Sequence, residues 1–377
     1  QGDTAPPVEL LSEALSGAEA ARVRDALDFA AELYADRTLG TGESTWTHAV
    51  GSALIAASLR LDAETRIAAL LFAACSYRDN ALDAIEARFG EGVAHLVDGL
   101  DRLNGLRLVT RMTATATAPE IRAQTEVLRK MLLAMVEDIR VVLVRLASRT
   151  QTLRYYTDLP GDARVDVARE SLDIYAPLAN RLGIWHLKWE LEDLAFRFSQ
   201  PAEYKRIAGW LRSKRDEREE YIEDVRRELA RELDKAGVQA EITGRPKHIY
   251  SIWNKMRKKG VEFSEVYDIR ALRIIVDDLK DCYTALGWVH QQFTPVPAEF
   301  DDYIATPKDN NYRSLHTAVI GPGRLPLEVQ IRTREMHKHA ELGVAAHWRY
   351  KEGSKHGADG SYDEKIAWLR QLLTWKD

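Results

Sequence analysis

Disulfide frameworks, membrane spans and surplus basic residues are all missing from this sequence. Only two cysteines, Cys75 and Cys282, occur among 377 residues, too few for the several disulfides of a small secreted domain. The longest apolar run, Ile67–Cys75, is much shorter than the roughly 20 residues that cross a membrane. The first residues lack the basic and apolar regions of a signal peptide. We therefore expect a soluble cytoplasmic protein with no membrane partner.

Net positive charge is also absent. The chain has 53 Lys and Arg against 58 Asp and Glu, which gives a net charge of −5. A protein that binds nucleic acid through an overall basic charge is therefore disfavoured. Hydrophobic residues make up 45% and charged residues 29%, close to the averages of globular proteins, so a wholly disordered chain is excluded. At roughly 100–200 residues per domain, the length predicts two or three domains.

Residues 1–200 are predicted to form an all-α domain. Ala, Leu, Arg and Glu dominate this part of the chain, and these residues favour helices. Strand signals are few. The predicted helices cover Ser44–Leu59, Ala63–Tyr77, Ile121–Arg154, Ser171–Leu182 and Trp185–Phe198.

Residues 201–236 differ from what precedes them, because Arg, Lys, Glu and Asp are interleaved almost throughout. Apolar residues recur at helical spacing at Ile222, Val225, Leu229 and Leu233. This pattern predicts one long, mostly solvated helix that links two domains.

Residues 237–377 are predicted to form an α+β domain with a mixed sheet. Ile-rich and Val-rich runs alternate with amphipathic ones, and Gly321-Pro322-Gly323 is a strong turn signal. The predicted strands are Val238–Ile242, Ala271–Val276, Thr317–Ile320 and Leu327–Ile331. The predicted helices are His248–Lys259, Cys282–Gln291 and Arg334–Trp348.

The segment Gly244–Lys259 carries six Lys or Arg and no acid. Arg245 and Lys247 precede the predicted helix, Ser251 lies one turn inside it, and Lys255 shares the face of Ser251. Cations and a hydroxyl at the start of a helix are suited to phosphate binding. A solvated basic helix or an RNA-binding patch explains the same pattern, and the segment alone does not decide between them.

Two acids and one aromatic residue stand out further along. Asp268 precedes the strand Ala271–Val276, and Glu328 lies within the apolar strand Leu327–Ile331. Two such carboxylates on neighbouring strands could hold one Mg²⁺ that carries phosphates, although a lone Glu in a strand is more often an edge residue. Tyr312, in a long polar loop over residues 299–317, could stack on a base or simply pack on the surface.

Taken together, four ordered blocks resemble the synthetase domain of the RelA/SpoT homologue family, with helical residues ahead of it that resemble the rest of its N-terminal catalytic half. The blocks are Gly244–Lys255, Tyr267–Arg273, Phe300–His316 and Glu328–Thr333, and the tail Ala340–Trp348 also matches. The resemblance implies a nucleotidyltransferase-like fold and the transfer of pyrophosphate from ATP to the 3′-OH of GDP or GTP. The products would be AMP and the alarmone (p)ppGpp of the stringent response.

The resemblance also implies roles for single residues. Arg245 and Arg273 would flank the adenine of ATP, and its phosphates would be held by Lys247, Ser251 and Lys255. Asp268 and Glu328 would be the catalytic and Mg²⁺-binding acids, with Glu328 assisting the metal or activating the attacking hydroxyl. The guanine nucleotide would be bound by Tyr312, through stacking, and by Lys308, Asn310 and His316.

Two details of the acceptor region bear on specificity and on the turn before the aromatic residue. Glu299, Asp301 and Asp302 resemble the acidic loop of the RelA branch, which implies a preference for GDP over GTP. Asn311 stands where the family often has Gly; because Asn tolerates positive φ, we expect the turn to be kept.

The helical half resembles an HD-type hydrolase of the same alarmone that has lost its metal site. His48 remains, but the other metal and acid positions hold side chains that are poor ligands for a hard cation, namely Phe72, Ala73, Ser76, Tyr77 and Ser148. We therefore expect a pseudo-hydrolase domain in which His48 has a structural role.

Two other functions stay open at this point. One is a different nucleotidyltransferase that uses the same Mg²⁺ carboxylates, and the other is a non-catalytic RNA-binding or ribosome-binding module centred on the basic helix. Members of the family normally continue into a C-terminal half that engages the ribosome. The chain ends at Asp377, so we expect it to be a catalytic fragment whose ribosome contact lies elsewhere.

Overall fold

The computed structural model describes residues 8–104, 138–159, 163–213, 215–245, 247–260, 263 and 270–343. The chain divides into two compact units, one built on Gln1–Arg181 with Ala345–Asp377 and the other on Leu182–Val344. The predicted domain boundaries at residues 200 and 236 stay a prediction. Part of the predicted helix Ile121–Arg154 and the predicted metal ligand Asp268 lie outside the described residues. In the described part of the chain, no helix combines the length and apolarity needed to cross a membrane.

The first unit is helical wherever it is described, apart from a single Thr38–Ser44 bridge. Two of its helices begin at good capping residues: Ser44 accepts a hydrogen bond from the N–H of Thr47, and Asp62 accepts one from the N–H of Thr65. The helices are α1 Val8–Leu11, α2 Gly17–Leu33, α3 Thr45–Ser58, α4 Ala63–Leu70, α5 Ala74–Tyr77, α6 Ala81–Phe89, α7 Glu91–Asn104, α8 Ile139–Tyr155, α9 Ala163–Glu170 and α10 Ala176–Arg181, with a π-helix over Ser171–Tyr175.

In its described residues, the second unit combines six α-helices with a mixed sheet, as predicted. Its helices are α11 Trp185–Ser199, α12 Pro201–Ser213, α13 Arg215–Lys235, α14 Ile249–Lys259, α15 Leu279–Gln292 and α16 Arg334–Leu342. Its strands are β1 Ala240–Gly244, β2 Ala271–Val276, β3 Thr294–Asp302, β4 Leu315–Ile320 and β5 Pro326–Thr333. The five strands lie in the order β1-β2-β5-β4-β3, with β2 and β5 parallel and the other pairs antiparallel.

The two faces of the sheet are chemically different. Because side chains alternate along a strand, one face carries Leu272, Ile274, Val329, Ile331 and Val319, which form a buried core with α13 and α15. The opposite face carries Arg273, Glu328, Gln330, Arg332 and His316, as the strand register requires. The apolar face forms the core of this unit, and the polar face carries the candidate site residues.

Two predictions about this unit need correction. Glu299–Asp302 was expected in a loop but forms the end of β3, an edge strand with two prolines whose Phe300 and Asp301 pair with Thr317 and His316 of β4. Exposed polar edge strands give a weak sequence signal, which explains the error. The predicted linking helix is two helices, α12 and α13. The apolar stripe of α13 is buried in the sheet core rather than solvated.

Candidate active site

Glu328 occupies the centre of the polar sheet face, beside two small residues. Strand register places Ala271 of β2 on one side of it and Ala318 of β4 on the other. Alanines leave space above the carboxylate that longer side chains would fill. Lys247 and Arg245, from the segment between β1 and α14, reach into this space.

The Glu328 carboxylate forms two ion pairs. Lys247 Nζ lies 2.6 Å from Oε2, and Arg245 Nη1 lies 3.1 Å from Oε1. Gln330 Nε2 also donates to Oε1, at 3.2 Å. Burial opposes ionisation of Glu328, but Lys247 and Arg245 outweigh it and hold the pKa of the carboxyl well below its usual range. Glu328 is therefore a carboxylate whose charge is offset by two cations.

The family resemblance assigns Arg245 and Lys247 to ATP, and backbone contacts on both sides hold the segment that carries them. The N–H of Arg245 donates to Ala271 O at 2.8 Å, which continues the β1–β2 pairing beyond the end of β1. Lys247 follows, and α14 begins at Ile249. On α14, Ser251 is exposed and Lys255 is half-buried, one and two turns from the helix start.

Two further arginines lie on the same sheet face. Burial lowers the pKa of Arg332 to about 10 and also lowers the pKa of Arg273. Arg332 Nη2 lies 2.7 Å from Nδ1 of His337, and Glu341 Oε1 is 3.8 Å from Arg273 Nη1. Within the described residues, the Nε atoms of Arg245, Arg273 and Arg332 are buried without an acceptor. A bound anion would satisfy these donors.

Tyr312 lies at the other end of this face, in an aromatic cluster. Tyr312 is 8% exposed, and its hydroxyl is 2.9 Å from His316 Nε2. Trp185 and Tyr303 meet it edge-on at centroid distances of 5.3 and 6.2 Å. With so little of the ring exposed, stacking on guanine would require a neighbour to shift. Burial lowers the pKa of His316 to about 3, so this histidine is neutral near pH 7.

The turn before Tyr312 is kept, as expected. Asn311 adopts a φ of +58°, in the left-handed region that Gly would otherwise supply. The Asn310 side chain accepts the N–H of Tyr312 at 3.2 Å, so it shapes the turn itself. Lys308 lies 4.3 Å from the ring of Tyr303, and burial lowers its pKa.

Asp301 and Asp302 of the acceptor region face opposite sides of the sheet. Asp301 pairs in register with His316 and therefore faces the polar side of the sheet. Asp302 faces the opposite side: its Oδ1 accepts the N–H groups of Ile304 and Ala305, and Oδ2 accepts the Tyr283 hydroxyl at 3.0 Å. Asp302 therefore closes a turn, and Glu299 is half-buried on β3. Of Asp301 and Asp302, Asp301 is the one that register positions beside the residues of the site.

The donor set of the polar face is compatible with Mg²⁺. Mg²⁺ is commonly bound by one or two carboxylates together with substrate phosphates, and Glu328 supplies one such carboxylate. Its predicted partner Asp268 lies outside the described residues, and no cluster of three or more His, Cys, Asp or Glu suited to a metal occurs among those that are described. Glu328 would hold the ion with phosphate oxygens, and Asp268 would add a second carboxylate.

In the first unit, two of the residues that the resemblance places at hydrolase metal positions, Phe72 and Ser148, contact His48. His48 is 2% exposed; its Nδ1 is 2.7 Å from Glu43 Oε2 and its Nε2 is 2.8 Å from Ser148 Oγ. Phe72 packs against the imidazole at a centroid distance of 5.0 Å. Around them, Tyr34 Oη accepts the N–H of Ala73, Tyr77 bonds Thr45, and Ser76 is exposed.

Sequence reasoning missed several residues of the second unit. Gln330 and Arg332 lie on the Glu328 face, and strict alternation along β5 would have indicated both. On α11, Trp185 contacts Tyr312, Trp189 contacts His248, and Asp193 contacts the start of α14. Their spacing of four residues predicts a shared helix face, but no local feature of the sequence indicates what that face contacts.

Comparison with known proteins gives two family matches. An HD domain profile matches residues 26–185, and a profile for the region found in RelA / SpoT proteins matches residues 244–355. The GTP pyrophosphokinase of Escherichia coli strain K12 is 49% identical over 324 residues, which are 86% of this chain and 43% of that protein. The chain therefore spans less than half the length of this relative.

Two other similar proteins carry related names. A Synechocystis protein named "Probable guanosine-3′,5′-bis(diphosphate) 3′-pyrophosphohydrolase" is 44% identical over 92% of this chain and 45% of its own length. The solved structure of small alarmone synthetase 1 from Bacillus subtilis, bound to its product pppGpp, is 26% identical. That match covers 44% of this chain and 90% of the synthetase, with a TM-score of 0.31.

Proposed function

This chain belongs to the RelA/SpoT family, and from that premise we propose that it is a GTP pyrophosphokinase of the RelA type. It would act in the cytoplasm and transfer the β,γ-pyrophosphate of ATP to the 3′-OH of GDP or GTP. A bond forms between the 3′-oxygen and the β-phosphorus, the bond between the β-phosphorus and its bridging oxygen to the α-phosphorus breaks, and AMP leaves. The single observation that best supports this proposal is the cationic sheet face around Glu328.

The charges of that face suit a polyphosphate donor. Lys247 supplies positive charge where the phosphates of ATP would bind, with Ser251 and Lys255 continuing along α14. Arg245 and Arg273 supply positive charge beside the adenine that they would flank. Phosphoryl chemistry depends mainly on positioning and on charge stabilisation, which a fixed set of cations provides. A bound Mg²⁺ would neutralise part of the charge of the transferring group.

Glu328 would change partners when ATP binds. Paired with Lys247 and Arg245, its lowered pKa makes it a weak base. Bound ATP would draw both cations away, Lys247 to its phosphates and Arg245 to its adenine. A Glu328 released from them would be better suited to Mg²⁺ or to the proton of the attacking 3′-OH. Tyr312, Lys308, Asn310 and His316 would bind the guanine nucleotide.

We further propose that the helical unit has no hydrolase activity. Ser148 and Phe72 stand against His48, and neither has a carboxylate or imidazole to bind a hard cation. A ribosome remains a proposed partner that would be contacted by a region outside these 377 residues.

The direct test is to incubate the purified chain with ATP, Mg²⁺ and labelled GDP and to separate the nucleotides. We expect AMP and ppGpp in equal amounts, and a chelator should stop both. Absence of labelled ppGpp together with steeply salt-dependent RNA binding would instead support the RNA-binding module.

A further inference from the structure

Helix α11 presents one face to the candidate active site. Trp185, Trp189 and Asp193 are spaced by four residues, so they lie on the same side of the helix. Trp185 meets Tyr312 edge-on, and Trp189 stacks on His248 at 4.6 Å with an interplanar angle of 17°. The Trp189 ring is also 5.7 Å from the guanidinium carbon of Arg245. This face therefore borders residues proposed to bind both nucleotides.

Asp193 caps a helix to which it does not belong. His248 occupies the N-cap position of α14, but its side chain makes no capping hydrogen bond, and the first turn of α14 has no acid. Asp193 Oδ1 instead accepts the N–H of Tyr250 at 2.8 Å, and Oδ2 accepts the N–H of Ile249 at 3.3 Å. Exposed N–H groups and the helix dipole make this position favourable for a carboxylate.

The same carboxylate also holds the residue before the helix. His248 Nδ1 lies 3.4 Å from Asp193 Oδ2, while Trp189 covers the imidazole ring. The short segment from Arg245 to His248 is thus fixed at one end by pairing with β2 and at the other by α11. Lys247 lies between these two fixed points, and its ammonium group must reach Glu328.

We propose that Asp193 is a positioning residue for the ATP phosphates. By capping α14 and holding His248, it fixes where Arg245 and Lys247 point. Asp193 itself touches neither Glu328 nor the cations in the contacts seen, so it acts through the segment it holds. This inference rests on the proposed pyrophosphokinase function, and it concerns a helix that sequence reasoning had grouped with the hydrolase-like half.

If Asp193 instead competed with ATP for the start of α14, its removal would change the KM for ATP in the opposite direction. Two N–H groups at the start of a helix can bind a phosphate directly, and in that case the Asp193 carboxylate would compete with ATP for them. Removing a competitor lowers the KM for ATP, whereas removing a positioning residue raises it. The sign of the change therefore decides between the two roles.

The experiment compares Asp193→Ala and Asp193→Asn with Asp224→Asn, a control of the same chemistry at an aspartate whose side chain is 69% exposed on α13. We expect Asp193→Ala to raise the KM for ATP on the order of tenfold, because the free energy lost with a helix cap corresponds to a change of about that size in an equilibrium constant. The KM for GDP should change much less. Asn keeps one acceptor for the N–H of Tyr250, so Asp193→Asn should recover part of the loss. Asp224→Asn should behave like the wild type.

Binding of a non-hydrolysable ATP analogue is measured in parallel by calorimetry, together with the melting temperature. The binding measurement needs no turnover. If the wild type makes no ppGpp, the proposed function is rejected, and binding of the analogue still tests the role of Asp193. Equal rises in both KM values, tighter binding of the analogue, or a loss of activity that merely follows a lower melting temperature would overturn the positioning role.

Discussion

Two buried polar clusters, one in each compact unit, are organised in opposite ways. In the helical unit, His48 bonds Glu43 and Ser148, and the second Glu43 oxygen accepts Gln151 Nε2 at 2.7 Å. On the sheet of the other unit, Arg245, Lys247, Arg273 and Arg332 gather around Glu328. In the first cluster, the polar atoms named here bond one another. In the second, the positive charge of the four cations exceeds the negative charge of the described acids at its centre.

The difference shows how a polar core and a ligand site can be told apart. A buried hydrogen-bonding group without a partner costs roughly 1–3 kcal/mol, so a purely structural cluster is expected to close on itself, as the His48 cluster does. The sheet cluster instead leaves three buried arginine Nε atoms without an acceptor among the described residues. Such a cost is retained where an anion can offset it.

The largest effect is expected at Glu328, in the centre of the sheet cluster. Glu328→Gln keeps the size of the side chain and removes its charge, so the proposed synthesis of ppGpp should fall by about 10²-fold or more in kcat. Asp268→Asn, outside the described residues, should give a similar loss. Both are measured by steady-state kinetics with ATP and GDP.

The matched control is Glu241→Gln, on β1 of the same sheet, where the carboxylate is 54% exposed and pairs with Arg334. It should leave kcat near the wild-type value. Near-normal turnover in Glu328→Gln, or a loss explained by a fall in melting temperature, would remove Glu328 from the proposed catalytic role.

A smaller effect is expected at the aromatic end of the sheet face. Tyr312→Ala should weaken binding of GDP by about 1–3 kcal/mol through the loss of stacking, and should change the KM for ATP less. Tyr312→Phe keeps the ring and loses only the hydrogen bond to His316, so its affinity for GDP should stay closer to the wild type. If the Phe and Ala variants lose equal affinity, the ring does not bind the base.

A still smaller effect should separate the acids of β3. Because acidic groups repel the additional γ-phosphate of GTP, the chain should have a higher kcat/KM for GDP. Asp301 is exposed on the polar side, so Asp301→Asn should reduce this preference by about two- to fivefold. Asp302→Asn should lower the melting temperature without a comparable change in the ratio, since Asp302 closes a turn. Equal kcat/KM values for both nucleotides in the wild type would contradict the proposed preference.

The sequence predicted those parts of the fold and site that depend on short-range pattern. The apolar run Ala271–Val276 is a strand with the predicted bounds, and Asn311 adopts the positive φ that its position required. Long-range contacts left no such signal: neither the reach of Lys247 to Glu328 nor the capping of α14 by Asp193 can be read from neighbouring residues, because strand register and helix packing bring them together.

The last prediction concerns an activity expected to be absent, in the cluster that closes on itself. His48 has both ring nitrogens engaged by Glu43 and Ser148, and Phe72 covers its ring. The Glu43 carboxylate is itself taken up by His48 and Gln151, and among the described contacts no other carboxylate and no second imidazole joins His48 to bind a metal ion. Incubation of the chain with Mn²⁺ and ppGpp should therefore release no pyrophosphate above background. The Synechocystis relative, whose name describes such a hydrolase, serves as the positive control. Robust Mn²⁺-dependent release by this chain, absent in a Ser148→Ala variant, would mean that the His48 cluster is a working metal site, and the contrast between the two clusters would fail.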